Sequence, residues 1–242
     1  MSLEKNRINP RVSICLATYN GANCIEEQIQ SVICQLNEFD EVVVSDDRST
    51  DNTLEIIKSF QDSRIKIYTN RFSSGPVGNF QNAMSHVSGD IIFLCDQDDI
   101  WKENKIDRHL EMHKDHDLVI SNAIVIDENH NVLFSSFFEA RGSKQGLFTN
   151  LLKNSYIGCC MSFNKTVLDA SLPFPPGIHM HDWWIGLVAE LKGKIYFIKE
   201  PLMFYIRHNS NASDTLIKTL PFKEQLKNRA VLVRSLIPLL FK

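Results

Sequence analysis

Three times in its first hundred residues the chain runs an unbroken apolar stretch straight into polar and acidic side chains. "VSICLA" ends in Thr18-Tyr19-Asn20, "EVVV" in Ser45-Asp46-Asp47, and "IIFLC" in Asp96-Gln97-Asp98-Asp99. Short apolar runs of this kind, without a polar face, suit strands covered on both sides, as in a parallel sheet. Helical spacing separates them. Ile25, Ile29, Val32 and Ile33 mark one helix, Leu54, Ile57 and Phe60 a second behind the N-cap candidates Ser49-Thr50-Asp51, and "GNFQNAMSHV" a third. With "RIKIYTN" as a further strand by alternation, strand and helix alternate at least three times, which predicts an α/β fold around a mostly parallel sheet.

In such sheets ligands gather beyond the carboxyl ends of the strands. Three clusters distant in sequence therefore converge on one rim. Neighbouring carboxylates repel and raise one another's pKa, so Asp96, Asp98 and Asp99 call for a compensating cation; a hard divalent ion needs few protein carboxylates when phosphate oxygens supply the rest. The plainer alternative makes Asp99 a helix N-cap before "IWKENKID", and makes Asp51 and Asn52 caps after the Asp46-Asp47 pair.

Beyond Trp101 the pattern changes. "DLVISNAIVID", "NVLFSSFF" and "GCCMSFN" read as strands, "HDWWIGLVAEL" as a helix, and "KIYFIKEPLMFYIRH" as one or two strands. Pro173, Pro175, Pro176 and Gly177 mark a loop expected to border a site. Asp182, at a helix start, is either stabilised by the helix dipole or a general base, with Trp183 and Trp184 as apolar walls that lift its pKa and stack on a sugar ring. Arg207 and His208 either neutralise a diphosphate or form a solvated strand end.

With 26 basic against 29 acidic side chains there is no global basic field, so nucleic acid is not an expected partner. The six cysteines include no CxxC pair and read as reduced core residues. The N-terminus lacks an apolar signal core and no run reaches the roughly 20 residues of a membrane span, so the expected location is cytoplasmic.

In this order, "VSICLATYNG", "EVVVSDDRSTDNT", "GPVGNFQNAMSHVSGDIIFLCDQDDIW" and "HDWW" resemble a family 2 glycosyltransferase of the GT-A fold, particularly its bacterial rhamnosyltransferase-like branch. The resemblance runs from about Val12 to His208. It implies a Rossmann-like central sheet flanked by helices, with a nucleotide-binding half over about 10–100 and an acceptor-binding half over about 101–215. By position it implies that Thr18, Tyr19, Asn20 and either Asp46 or Asp47 contact the nucleotide. Asp96-Gln97-Asp98 matches the DxD motif, with Asp98 the principal ligand of magnesium or manganese, joined by Asp96 and His208; Asp182 matches the catalytic base. "YIRH" resembles a "YRxH"-like segment, which places Arg207 and His208 near the diphosphate.

The activity implied is inverting transfer of a sugar, rhamnose from its dTDP donor or a hexose from a UDP donor, to a lipid-linked oligosaccharide acceptor in bacterial O-antigen or capsule synthesis. Two other classes share parts of this pattern. A sugar nucleotidyltransferase needs a glycine-rich phosphate loop after the first strand, where "ATYNGAN" has only Gly21; a non-catalytic sugar-nucleotide-binding module needs no base.

Residues 216–242 form a tail in which Leu226, Ala230, Val233 and Ile237 recur at helical spacing among basic residues, with Pro238 ending the helix. A basic amphipathic helix suits peripheral association with the inner face of the cell membrane, or packs back on the domain; the sequence leaves both open.

Overall fold

A computed structural model describes residues 10–207 and 221–241 of the 242-residue chain. In chain order the first half reads β1 (Val12–Thr18), α1 (Ile25–Ile33), β2 (Glu41–Asp46), α2 (Thr53–Ser59), β3 (Ile65–Thr69), α3 (Pro76–Met84) and β4 (Ile91–Asp96). The second half continues with β5 (Ile100–Trp101), α4 (Lys105–Met112), β6 (Leu118–Asp127), β7 (Val132–Phe134), α5 (Phe137–Arg141) and α6 (Leu147–Leu152). A short 3₁₀ turn over Gly158–Cys160 leads into β8 (Met161–Asn164), followed by α7 (Lys165–Ser171), α8 (His181–Lys192), β9 (Ile195–Arg207) and α9 (Phe222–Leu236).

The strands form one sheet in the order β3-β2-β1-β4-β8-β6-β9-β5, with β7 paired to β6. The first four are all parallel, each buried on both faces except the outer β3, as their unbroken apolar runs require. Their register puts Ala17 beside Asp96 and Thr18 beside Asp46. The polar residues that follow β1, β2 and β4 therefore sit on one rim. Burying a side chain such as Phe93 contributes about 1.5–3 kcal/mol, so the core holds the strands in place.

The second half mixes directions: β8 runs antiparallel to β4 and β6, β6 lies parallel to β9, and β5 is antiparallel to β9. The final apolar segment is a single strand of 13 residues, with a register shift where Asn122 meets Pro201, which has no N–H to offer the ladder. Helix α8 runs through the middle of this half, and Trp184 packs with its indole N–H donated to the Ser171 carbonyl at 2.9 Å.

Several local expectations are corrected. Only Val132–Phe134 of "NVLFSSFF" is strand; Ser136 turns the chain into α5, its hydroxyl accepting from the Glu139 N–H at 3.2 Å. The Gly-Cys-Cys of "GCCMSFN" is a 3₁₀ turn rather than strand. The cysteines are all free, but Cys34 is exposed and Cys24 half-buried, so only four belong to the core. In the tail, Leu226, Val233 and Ile237 are exposed; the residues that join the core are Leu232 and Leu236.

Candidate active site

A cleft of about 370 Å³ opens at the predicted rim, bounded by the ends of β1 and β4, the N-terminus of α3, α5, the 158 turn and the start of α8. Of the sequence-predicted residues it brings together Thr18, Tyr19, Asp47, Asp96, Asp98 and Asp182.

The two adjacent acids after β2 divide cleanly. Asp46 is consumed by the chain itself, accepting from the Thr18 hydroxyl at 3.1 Å, the Ser49 N–H at 2.9 Å and the Ser49 hydroxyl at 2.5 Å. Asp47 faces the cleft and accepts from the Ser74 hydroxyl at 2.6 Å, the Gly75 N–H at 2.7 Å and Asn70 at 2.9 Å. Burial pushes the Asp47 carboxyl up, but these hydrogen bonds and nearby Arg48 outweigh it and hold the group below the usual carboxylate range. Gly75, at φ 96°, adopts a backbone that a side chain disfavours, which lets its N–H meet Asp47 at the start of α3.

Asn20 is likewise turned to the chain. Its side-chain oxygen accepts from Thr50, its N–H donates to Ser49, and it is not among the cleft-lining residues. Tyr19 is tied to Gln97 by a pair of bonds, 2.8 Å from its N–H and 3.1 Å to its carbonyl, which join the loops after β1 and β4.

Asp96 and Asp98 line the cleft, while Asp99 lies behind them with its Oδ2 lacking a hydrogen-bond partner among the described residues. Asp99 is not the expected cap: α4 starts at Lys105 behind Asn104, and Asp99 Oδ1 instead accepts from the Ile206 N–H at 3.3 Å. Burial first, then the charges of Asp98 and Asp182, push Asp96 up to about 7; burial and the neighbouring Asp98 and Asp96 push Asp99 up as well. The buried ammonium of Lys105 offsets part of this, held by the Cys159 carbonyl at 2.6 Å and over the Trp101 ring at 4.3 Å.

Ligand atoms of Asp96, Asp99 and Cys159 lie within 4.8 Å of one another; Asp98, expected as the principal ligand, is not in this group. Burial holds the Cys159 thiol protonated, so the carboxylates are the donors available, and they are the kind a hard divalent cation takes. The orphaned Asp99 oxygen and the raised Asp96 both fit a site that a cation completes. The third expected ligand, His208, lies outside the described residues. Arg207 ends β9 in register with Asp127 and is not among the cleft-lining residues.

Asp182, in the first turn of α8, also lines the cleft and is nearly buried. Burial pushes its carboxyl up to about 6, against the N–H groups of Trp183, at 2.6 Å, and Gly158, and the charge of Arg141. A Cβ at position 158 would lie 3.0 Å from His181 Nε2 and 3.5 Å from Asp182 Cβ, so glycine there allows the backbone to approach the acid. A carboxylate with a pKa near neutrality is suited to accept a proton.

The tryptophans do not face a sugar. Trp183 donates its indole N–H to the Asn150 carbonyl at 2.8 Å, both rings are buried, and neither lines the cleft. The Pro173–Gly177 loop also misses the cleft, whose lining resumes at Met180. The aromatic surfaces that do line it are Tyr19, Phe80, Phe137, Tyr156 and Tyr205.

Sequence reasoning missed Arg141, His181 and Tyr205. His181 stacks on Phe80 at 4.1 Å, and neither of its ring nitrogens has a partner among the described residues; burial drops its pKa to about 3, so the ring is neutral. The one available signal was "SFFE", an S-x-x-E capping pattern that announces the α5 helix carrying Arg141.

Residues 13–172 match the family model described as Glycosyl transferase family 2. Among curated proteins, the chain is 34% identical over 181 residues to the UDP-Glc:alpha-D-GlcNAc-diphosphoundecaprenol beta-1,3-glucosyltransferase WfgD of Escherichia coli, covering 73% of this chain and 68% of that protein. It is 31% identical over 239 residues to the dTDP-rhamnosyl transferase RfbG of Shigella flexneri, covering 91% and 79%. Among solved structures, residues 1–349 of S. aureus TarS in complex with UDP-GlcNAc superpose with a TM-score of 0.69 at 19% identity, covering 92% of this chain and 66% of that one. The mannosyltransferase PcManGT of Pyrobaculum calidifontis, in complex with GDP-Man and Mn2+, gives a TM-score of 0.60 at 18% identity, covering 98% and 66%. These likenesses identify the fold as GT-A.

Proposed function

Because the chain belongs to the family 2 glycosyltransferases, we propose that it is an inverting, divalent-cation-dependent enzyme that moves a sugar from a nucleoside diphosphate onto an acceptor hydroxyl. The observation that carries this reading is the convergence of two groups of carboxylates on one cleft: Asp96 and Asp98 from the end of β4, with Asp96 raised by burial and by its neighbours, and Asp182 from the start of α8, raised toward neutrality by burial.

The residues take separate parts. Thr18, Tyr19 and Asp47 hold the nucleoside, with Asp47 accepting from a base N–H or ribose hydroxyl while Asn20 and Asp46 brace the loops that carry them. Asp98 and Asp96 would hold magnesium or manganese, which when bound supplies positive charge to the departing diphosphate. Arg207, the last residue of β9, and His208, next in sequence, would assist with the same charge. Asp182 takes the proton of the acceptor hydroxyl as its oxygen bonds to the anomeric carbon. The carbon–oxygen bond to the diphosphate breaks, and its electron pair leaves with the nucleoside diphosphate.

The 31% identity to a dTDP-rhamnosyl transferase, over nearly the whole chain, supports dTDP-rhamnose as donor; the 34% identity to a UDP-Glc enzyme supports a UDP-hexose as the second choice. The name of that second relative specifies a diphosphoundecaprenol acceptor, which supports a lipid-linked oligosaccharide here and a place in O-antigen or capsule synthesis at the cytoplasmic face of the membrane. A panel of nucleotide sugars, read by thermal shift with manganese and then by transfer to a prenyl-diphosphate-linked sugar, tests this. Stabilisation by one donor and product from it are expected; no response to any donor contradicts the reading.

A further inference from the structure

Helix α9 does two things at once. At 3.6 residues per turn its inward side carries Leu232 and Leu236, which enter the core beside α8, and Arg229, whose guanidinium clamps the Leu151 and Leu152 carbonyls at the end of α6. The outward side is divided lengthwise. Phe222, Leu226, Val233 and Ile237 fall within roughly 60° of arc, and all are exposed, Phe222 by 72% and Leu226 by 50%. Along the edge of this stripe run Lys223, Lys227 and Arg234, also exposed. The acid Glu224 lies on the far side of the basic row.

The Arg229 clamp also fixes α9 to the end of α6, which exposes Phe148 by 80% and Leu152 by 69%. Next to Leu152, the Lys153 ammonium donates to the Arg141 carbonyl at 2.7 Å, and Arg141 lines the cleft on the side of Asp182. A large apolar surface of this kind marks an interaction site. Its flanking cations specify the partner: an apolar stripe with a parallel basic row matches the acyl boundary and anionic head groups of a bilayer, while nothing in the row pairs it with another copy of itself, which would set cation against cation.

We propose that the outward face of α9, together with Phe148 and Leu152, docks on an anionic lipid surface and brings the Asp182 side of the cleft to the membrane. This goes beyond the catalytic reading and does not depend on it. The helix lies in the interface with Phe222 and Phe148 in the acyl boundary and Lys223, Lys227 and Arg234 at head-group level, so it is peripheral; no described helix is long and apolar enough to cross a membrane.

The test is co-sedimentation of the full chain with phosphatidylglycerol vesicles and with phosphatidylcholine vesicles. Binding to the first, weakened by salt, and little to the second are expected. Leu226→Glu with Val233→Glu should lower the affinity by about tenfold or more, and Lys223→Gln with Lys227→Gln and Arg234→Gln by a similar factor on phosphatidylglycerol alone. Both variants alter exposed positions and should keep the wild-type melting temperature and nucleotide binding. Failure of the wild-type chain to bind phosphatidylglycerol, or binding that survives both variants, overturns the proposal. So does a wild-type dimer that the glutamate pair dissociates, which assigns the stripe to a second copy. Since the readout needs neither donor nor turnover, its failure leaves glycosyl transfer untouched, and failure of transfer leaves it standing.

Discussion

The two walls of the cleft use the same side chain in opposite environments. On the wall built from the parallel half, Asp47 is surrounded by donors and held below the usual carboxylate range. On the wall built from the mixed half, Asp182 accepts from backbone N–H groups and feels the charge of Arg141, yet burial lifts it to about 6. Both carboxylates accept several hydrogen bonds, so the deeper burial of Asp182 decides which one is raised and can carry a proton. Asp96 and Asp99 are a third case, raised by burial and by neighbouring carboxylates, with Lys105 offsetting part of the rise at Asp96.

The largest expected break in this comparison is Asp182→Asn, which keeps size and polarity but loses the proton acceptor. Turnover should fall by roughly 10²-fold or more while donor affinity, measured by calorimetry, stays within error. Asp98→Asn should fail in the other way. Manganese-dependent donor affinity should drop by about tenfold or more, and excess EDTA should bring the wild type to the same level; unchanged affinity in both would remove the cation from the account.

A finer contrast separates the neighbours Asp46 and Asp47. Asp46→Asn disturbs the bonds from Thr18 and Ser49 and should cost about 1–3 kcal/mol of stability, seen as a lower denaturant midpoint. Asp47→Asn should weaken donor binding several-fold with a smaller loss of stability. Equal effects on both measurements would erase the distinction drawn between them.

The smallest effect is one of stability. The pKa of Asp182 is raised in the folded chain, so ionisation there works against the fold above about pH 6 and not below the ordinary aspartate value. Asp182→Asn should therefore raise the unfolding free energy at pH 8 by on the order of 1–2 kcal/mol. The gain should shrink as pH falls through about 6 and vanish below about 4. A variant destabilised at pH 8 would show that the acid is not strained.

How much of this was legible in the sequence follows from where the information sits. The strands of "VSICLA", "EVVV" and "IIFLC" are written locally, because burial on both faces leaves no polar position, and the register that levels Ala17 with Asp96 put their acids on one rim as expected. Asp182 was readable from its helix start. Arg141, His181 and Tyr205 were not: each reaches the cleft through packing across the chain, His181 on Phe80 and Tyr205 against Phe137 at 6.1 Å. The choice between Asp46 and Asp47 was equally hidden, since it depends on Thr18 and Ser74, residues that no spacing ties to either acid. The tryptophans misled because a Trp-Trp pair near an acid suits a sugar platform, whereas both indole N–H groups here find carbonyls of the core.

The central claim is that Asp182 is the proton acceptor and that donor binding belongs to the other wall. It is tested most directly by single-turnover transfer across pH 5 to 8, with donor and manganese saturating, beside the donor dissociation constant over the same range. The account predicts a rate that falls about tenfold per pH unit below about 6, an acid limb that disappears in Asp182→Asn, and a dissociation constant that stays level through the limb. A wild-type rate independent of pH through this range, or an acid limb retained by Asp182→Asn, would contradict it.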